Sequence, residues 1–156
     1  MNAVGVHQNF SPVADINSDP ENPIVNIRAY SDDKEIVSRF CEAFIKGSID
    51  AEALSCAKHF PGHGNTNVDS HNQLPLIATP LDLMNERELY PFKKCIEAGV
   101  HAVMIGHLEV QKKKKEKGLP STLSYSIITE LLKEKLGFDG LIITDAMNMY
   151  GVANYF

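Results

Sequence analysis

The sequence predicts an α/β fold with about four parallel βα units, on three observations. Apolar runs of strand length recur along the 156-residue chain, stretches of helical periodicity separate them, and long polar segments follow them. The run at 102–106 is apolar almost without a break, which is typical of parallel strands buried on both faces. The four expected strands lie in residues 6–16 (running into a loop), 54–60, 102–106 and 140–145.

Three helical regions are expected between these strands, over residues 32–46, 81–98 and 124–136. Ser31 suits the N-cap of the first helix, and Gly47 suits the position after its last residue. The second region divides near Pro91, which suits the first turn of its second piece, and Gly99 ends it. The third region has Ser124 as its cap and Gly137 as its end. A helix therefore follows each of the first three strands, as parallel pairing requires.

The loops that follow the strands are long, and the connections from each helix to the next strand are short. This asymmetry is typical of a TIM barrel, whose active site lies at the carboxyl ends of the strands. A complete barrel has eight strands and about 250 residues, whereas this chain offers four candidate strands in 156 residues. The expected architecture is therefore a partial (β/α)8 barrel.

The composition excludes several classes of partner. The net charge of -5 argues against nucleic acid, and no apolar run approaches the about 20 residues that span a bilayer. The three cysteines lie in apolar segments and are expected to be buried free thiols. No signal peptide is visible, so a cytoplasmic location is expected if Met1 is the true start, and a periplasmic one if an upstream signal is missing.

Most of the candidate chemistry lies in one stretch, residues 57–71. It reads Ala-Lys-His-Phe-Pro-Gly-His-Gly-Asn-Thr-Asn-Val-Asp-Ser-His and leaves a strand at its Pro-Gly pair. A lysine, three histidines and an aspartate thus follow a strand end, where loops on a rigid scaffold carry catalytic groups. The spacing of Asp69 and His71 allows the carboxylate to fix the imidazole tautomer and raise its basicity.

The order Lys-His-Phe-Pro-Gly-His-Gly followed by Asp-Ser-His resembles the signature of glycoside hydrolase family 3, in its bacterial β-N-acetylglucosaminidase branch. Residues 138–149, Phe-Asp-Gly-Leu-Ile-Ile-Thr-Asp-Ala-Met-Asn-Met, resemble the nucleophile segment of that family. The resemblance implies a TIM barrel, with residues 1–156 as part of the N-terminal catalytic domain. Compared with the family, the chain lacks the early Asp-x-Glu-Gly-Gly segment and stops just after the nucleophile strand. An internal fragment, incomplete at both ends of the barrel, is therefore expected.

The resemblance implies a retaining glycosidase that hydrolyses terminal β-linked N-acetylhexosamine through a covalent glycosyl-enzyme. Asp145 is the implied nucleophile, although by itself an aspartate here would be read as a cap for the following segment. His71, oriented by Asp69, is the implied general acid and base, where most retaining glycosidases use a second carboxylate. The implied substrate is a carbohydrate with a terminal N-acetylglucosamine, from cell-wall fragments, and no cofactor or metal is implied.

Three residues, Lys58, His59 and Arg28, are implied to bind the sugar. A lysine that closes an apolar strand is rarely placed for packing, because burying an unpaired charge is costly. Arg28 is also compatible with an ordinary surface loop. Further residues are expected to support the site rather than touch the sugar: Asp15, His63 and His107.

Three alternatives stay open at this point. The histidines and aspartates could bind zinc in a metal-dependent hydrolase, although the sequence has no His-Glu-x-x-His. A family 3 β-glucosidase is the second alternative, and the Asp69–His71 pair favours the N-acetylglucosaminidase branch over it. The third is an inactive truncated fragment that associates through unpaired barrel edges.

Overall fold

The computed structural model describes residues 1–64, 66, 74–77, 79, 81–110 and 119–153. Its strands are β1 Cys56–Phe60, β2 Leu76–Ile77, β3 Ala102–Ile105, β4 Glu109–Val110 and β5 Leu141–Thr144. Its α-helices are α1 Lys34–Asp50, α2 Leu81–Met84, α3 Tyr90–Glu97 and α4 Tyr150–Ala153. A π-helix spans Ser126–Lys135, and 3-10 turns span Asn2–Val4, Asn26–Arg28 and Ser121–Leu123.

A parallel three-stranded sheet in the order β1-β3-β5 forms the centre of the fold. Ala102 of β3 pairs with Cys56 on one side and Leu141 on the other, so the carboxyl ends of all three strands lie side by side. β2 and β4 form a second, two-stranded parallel pair. Helices lie in the crossovers after β1 and β3, which confirms the predicted α/β class.

The expected first strand differs most from the structure. Residues 6–16 run parallel to residues 54–58 but make only isolated bridges, Gln8 with Leu54 just before β1 and Val13 with Lys58 within it. The Lys58 N–H donates to the Pro12 carbonyl at 3.1 Å, and proline has no N–H with which to continue the ladder. The prediction of a regular strand that runs into a loop is therefore wrong for its strand part, although the segment lies beside β1 as a fourth parallel strand would.

Helix α1 begins and ends later than the sequence predicts. The Asp33 side chain, not Ser31, caps it, because one Asp33 oxygen accepts two N–H groups of the first turn at 2.8 and 3.0 Å. At its other end α1 continues through Gly47 to Asp50. A glycine inside a helix costs only about 0.5–1 kcal/mol relative to alanine, which the additional intrahelical hydrogen bonds offset.

The other helix signals agree with the structure, apart from one cap. Pro91 lies in the first turn of α3. Gly99 follows α3 with φ +84°, and Gly137 follows the π-helix with φ +72°, both in the left-handed region that glycine favours. Ser124 does not cap the π-helix, because its hydroxyl contacts the Ser126 hydroxyl at 3.0 Å instead.

The two faces of the sheet carry separate apolar clusters. The larger cluster packs the sheet against α1, α3 and the π-helix, and in it the Phe60 and Phe92 rings meet edge to face with centroids 5.2 Å apart. The smaller cluster lies on the opposite face and comprises Cys56, Ala102 and Met104, with Ile143 packed against it. The three cysteines are buried and free, as predicted. None of the helices in the described ranges is long and apolar enough to cross a membrane.

Candidate active site

The carboxyl ends of β1 and β5 border a cavity of about 380 Å³. Such a volume lies within the range of about 300–1,000 Å³ that is usual for small-molecule sites. Four of the six predicted catalytic and sugar-binding residues line it: Arg28, Lys58, His59 and Asp145. The other two, Asp69 and His71, lie outside the described residues. Side chains from distant parts of the sequence therefore meet where a parallel sheet keeps its active site.

A larger cavity, of about 580 Å³, lies between the first residues of the chain and α1. Alanines and Phe44 make up most of its lining, and no acidic or basic side chain contributes to it. Binding sites need a few convergent polar groups to orient a ligand. The smaller cavity at the strand ends is therefore the better candidate for chemistry.

Asp15 is the centre of the hydrogen-bond network behind the cavity. Its fully buried carboxylate lies 2.7 Å from Nδ1 of His59 and accepts the His59 N–H at 3.2 and 3.3 Å. It also accepts the His63 N–H at 2.7 Å. Because a carboxylate can only accept, Nδ1 of His59 carries the proton of the shared bond. The network fixes both the position and the tautomer of the His59 ring.

The partners of Asp15 also explain how a carboxylate can be buried here. Burial by itself would raise the pKa of the Asp15 carboxyl, but His59 and His63, with their hydrogen bonds, outweigh it and hold that pKa below its ordinary value of 3.8. Asp15 is therefore ionised at neutral pH. The expectation that it supports the site agrees with this geometry.

His63 is fixed in the opposite way, by a neutral partner. Its Nδ1 lies 2.6 Å from the Thr66 hydroxyl, which itself donates to the His63 carbonyl at 3.0 Å. Nδ1 must then be the donor, so Nε2 carries no proton, and this buried atom has no hydrogen-bond partner in the described part of the chain. Burial lowers the pKa of the His63 imidazole, and the Asp15 charge only partly opposes this. His63 therefore stays neutral.

The loop after β1 rests on contacts that sequence reasoning missed. Asn22 donates from its amide to the His63 carbonyl at 2.8 Å, while its Oδ1 accepts the N–H groups of Ile24 and Val25, both at 2.8 Å. The sequence shows 19–23 only as a turn, and the one signal was the asparagine itself, which favours such local acceptor bonds.

Gly64 lies directly against the backbone of residue Ile16. A Cβ atom at position 64 would lie 1.6 Å from the Ile16 carbonyl oxygen. The Asp19 N–H donates to the Gly64 carbonyl at 3.3 Å. Only glycine fits this approach, and it joins the loop after β1 to the segment that carries Asp15.

Asp145 follows β5 directly. Its N–H donates to the Ile105 carbonyl at 2.9 Å, which continues the pairing of β3 and β5 up to the aspartate itself. Its half-buried carboxylate accepts the Ala146 N–H with Oδ1 at 2.8 Å. The side chain is thus oriented by its own turn, at the wall of the cavity.

His107 holds the same turn from behind. Its Nε2 lies 2.9 Å from the Ala146 carbonyl, which can only accept, so Nε2 carries the proton. Its Nδ1 lies 3.1 Å from the Thr122 hydroxyl, which then donates. The fully buried imidazole does not line the cavity. The structure thus puts it in contact with the residue after Asp145, as the expected supporting role requires.

Two cationic side chains also line the cavity. Lys58 is the central residue of β1 and is half-buried. Arg28 ends a 3-10 turn, is exposed, and donates from Nε to the Ile24 carbonyl at 2.7 Å. Cations, imidazoles and a carboxylate around one small cavity can bind a polyhydroxylated ligand and act on it. No group of three or more metal-ligating side chains is placed to hold an ion, as far as the described residues extend.

Comparisons with known proteins agree over the whole chain. Residues 1–156 match the family described as glycosyl hydrolase family 3 N terminal domain. The chain is 37% identical over 166 residues to beta-hexosaminidase A of Pseudoalteromonas piscicida, an alignment that covers 100% of this chain and 28% of that protein.

Solved structures give the same relationship. A glycoside hydrolase family 3 beta-N-acetylglucosaminidase from Paenibacillus sp. is 39% identical with a TM-score of 0.94, over 99% of this chain and 29% of that one. The beta-glucoside phosphorylase BglX is 31% identical with a TM-score of 0.93, again over 99% of this chain and 29% of the other. The chain thus spans less than a third of the length of these relatives.

Proposed function

This chain belongs to the glycosyl hydrolase family 3 N-terminal domain family, and from that premise we propose that it carries the reacting residues of a retaining glycosidase for terminal β-linked N-acetylhexosamine. The observation that carries the proposal is the common cavity of about 380 Å³ lined by Arg28, Lys58, His59 and Asp145. The relatives named for hexosaminidase and N-acetylglucosaminidase activity support the choice of sugar.

In the proposed reaction Asp145 is the nucleophile. Its Oδ1 is engaged with the Ala146 N–H, so Oδ2 attacks the anomeric carbon as the bond to the leaving oxygen breaks. The product of this step is a glycosyl ester on Asp145, and the leaving oxygen takes a proton. Water then attacks the same carbon and releases the carboxylate, which gives net retention at the anomeric centre.

The proton transfers are proposed for His71, oriented by Asp69. The support is the sequence pattern, because both residues lie outside the described part of the chain. An imidazole titrates near neutral pH, so it can give a proton to the leaving oxygen and then take one from water. The Asp69 carboxylate would stabilise the imidazolium between these two steps.

Sugar binding is proposed for Lys58, His59 and Arg28. Ammonium and guanidinium groups donate hydrogen bonds to hydroxyl and carbonyl oxygens, and charge-assisted bonds are stronger than neutral ones. The lysine is half-buried beside the apolar Met104, where water competes less for its hydrogen bonds. The proposed partner is a carbohydrate with a terminal N-acetylglucosamine.

Self-association is a second proposed property. β5 pairs only with β3 among the described strands, and Leu141 at its start is 53% exposed. An edge of this kind presents unpaired N–H and C=O groups to other chains. Light scattering on the purified chain tests this property: a mass of two or more chains is expected, and a single-chain mass at all concentrations contradicts it.

The deciding experiment for the proposed function is release of a chromophore from an aryl N-acetyl-β-glucosaminide. It is run with this chain and with the same chain extended to the length of its relatives, each beside its Asp145→Asn variant. We expect turnover that depends on Asp145. If only the extended form turns over substrate, the proposed residue roles stand and this chain has no activity of its own.

Three further arms separate the rival functions. An aryl β-glucoside that is cleaved faster than the N-acetylglucosaminide favours a β-glucosidase. Inorganic phosphate that accelerates turnover and yields a sugar phosphate favours phosphorolysis, as the name of one structural relative suggests for that protein. Loss of activity with a chelator, restored by zinc, favours a metal-dependent hydrolase. Any of these results replaces the proposed reaction.

A further inference from the structure

We infer that Asp15 is a positioning residue that acts through His59. It holds the imidazole as an Nδ1–H donor, so that the unprotonated Nε2 is the nitrogen presented to the ligand in the cavity. The inference rests on the proposed function in one respect, namely that the ligand is a sugar whose hydroxyl can donate to Nε2. It adds to that site Asp15, which does not itself line the cavity, and it defines the tautomer of the His59 ring.

The geometry separates two tasks of the Asp15 carboxylate. Oδ1 lies 2.7 Å from the His63 backbone nitrogen, whereas Oδ2 lies 2.7 Å from the His59 ring nitrogen Nδ1. The first bond holds the loop after β1, and any oxygen acceptor would serve it. The second bond selects a tautomer, which only a group without a proton at Oδ2 can do.

Burial strengthens the control that Asp15 has over the His59 tautomer. Asp15 is fully buried and His59 is 5% exposed, so water cannot take over the bond to Nδ1. The His63 ring meets the His59 ring edge to face with centroids 6.1 Å apart, and a Cβ atom added at Gly106 would lie 3.1 Å from the His59 Cβ, so the base of the side chain is closely packed as well. A ring held in this way cannot turn over to present Nδ1 to the cavity instead.

The substitution Asp15→Asn tests the inference because it is nearly isosteric. The asparagine oxygen can still accept the His63 N–H, but its amide NH2 must then face Nδ1 of His59. Two donors cannot share that contact, so the His59 proton is expected to move to Nε2, which turns the ligand-facing acceptor into a donor. We expect kcat/KM for the aryl N-acetyl-β-glucosaminide to fall by about 10- to 100-fold, mainly through KM.

The tautomer is read directly, without substrate, from the nitrogen-15 NMR signals of the His59 ring. The wild-type chain is expected to show the proton on Nδ1 and Asp15→Asn to show it on Nε2. Asp33→Asn is the matched control: Asp33 also accepts two backbone N–H groups but is exposed and does not line the cavity, so it should change neither the NMR signals of His59 nor kcat/KM.

A double-mutant cycle separates positioning from mere structure. In a His59→Gln background, Asp15→Asn is expected to change kcat/KM by less than about twofold, because the ring it acts through is gone. A loss that is as large in the His59→Gln background as in the wild-type background overturns the inference. A wild-type His59 protonated on Nε2 also overturns it, even if Asp15→Asn fails to fold. Absence of any glycosidase turnover defeats the proposed function, whereas the NMR result is unaffected by it.

Discussion

The two strand ends that face the cavity are held to very different degrees. At the end of β1, the buried Asp15 carboxylate accepts from the His59 ring and from two backbone N–H groups, and the Gly64 backbone is pressed against Ile16. At the end of β5, the half-buried Asp145 carboxylate accepts only the N–H of its own turn among the described contacts. His59, which would bind the sugar, is thus fixed more firmly than Asp145, which would react.

This difference follows from where the two strands lie. β1 has the 6–16 segment on one side and β3 on the other, so its carboxyl end is enclosed. β5 pairs with β3 alone among the described strands, and His107 supports the following turn from the β3 side. The β1 end is therefore more firmly held than the proposed nucleophile at the β5 end. We expect substitutions at the β5 end to change mainly turnover, and substitutions at the β1 end to change mainly stability.

The largest expected effect is on turnover at the β5 end. Asp145→Asn should lower kcat by about 10,000-fold or more, because the proposed nucleophile is removed. The free energy of unfolding should stay unchanged, since the amide oxygen can still accept the Ala146 N–H. Both are measured on the extended chain, by chromophore release and by urea unfolding. Asp139→Asn, at the exposed start of the same strand segment, is the control and should keep full turnover. A near-normal rate in Asp145→Asn removes Asp145 from the mechanism.

The next effect is on stability at the β1 end. Gly64→Ala should lower the free energy of unfolding by about 3 kcal/mol or more, because its Cβ would lie 1.6 Å from the Ile16 carbonyl and the backbone must move. Gly47→Ala is the matched control: position 47 is helical with open space around it, so alanine should stabilise by about 0.5–1 kcal/mol. Equal urea midpoints for the two variants would show that the loop after β1 is less firmly packed than the contacts indicate.

A smaller effect is expected from the support behind the nucleophile. His107→Asn loses the donor to the Ala146 carbonyl and should lower kcat by about 10- to 100-fold with little change in KM, because a misplaced nucleophile reacts slowly but does not weaken binding. His107→Gln can still reach that carbonyl with its amide and should retain more activity. A rise in KM with constant kcat in both variants would instead assign His107 to the binding side.

The sequence was most informative where burial alone decides the structure. The strands β1, β3 and β5 fall within the predicted ranges, because apolar runs of strand length are recognised without tertiary detail. Burial on both faces holds for β3, whereas β5 is partly exposed. The same argument put Lys58, His59 and Asp145 near the ends of parallel strands, and in the structure these three residues line one cavity.

Long-range polar contacts were predicted less well. The bonds from Asp15 to His59 and His63 span 44 and 48 positions, and no local pattern encodes them. Asn22 read as an ordinary turn residue for the same reason. The irregularity of the 6–16 segment lies at Pro12, and the late end of α1 depends on additional intrahelical hydrogen bonds that offset the cost of Gly47.

The smallest effect is a pH dependence of stability at the β1 end. Because burial lowers the pKa of His63 below 6.5, the folded state favours the neutral ring. The resulting stability is present above about pH 6.5 and is lost as the pH falls towards the lower folded pKa. The urea midpoint should therefore decrease between about pH 7 and pH 5. His63→Asn, which keeps a donor for the Thr66 hydroxyl, should flatten that slope, whereas the exposed His7→Asn control should not. An unchanged slope in His63→Asn would mean that His63 does not control the acid sensitivity of this end of the site.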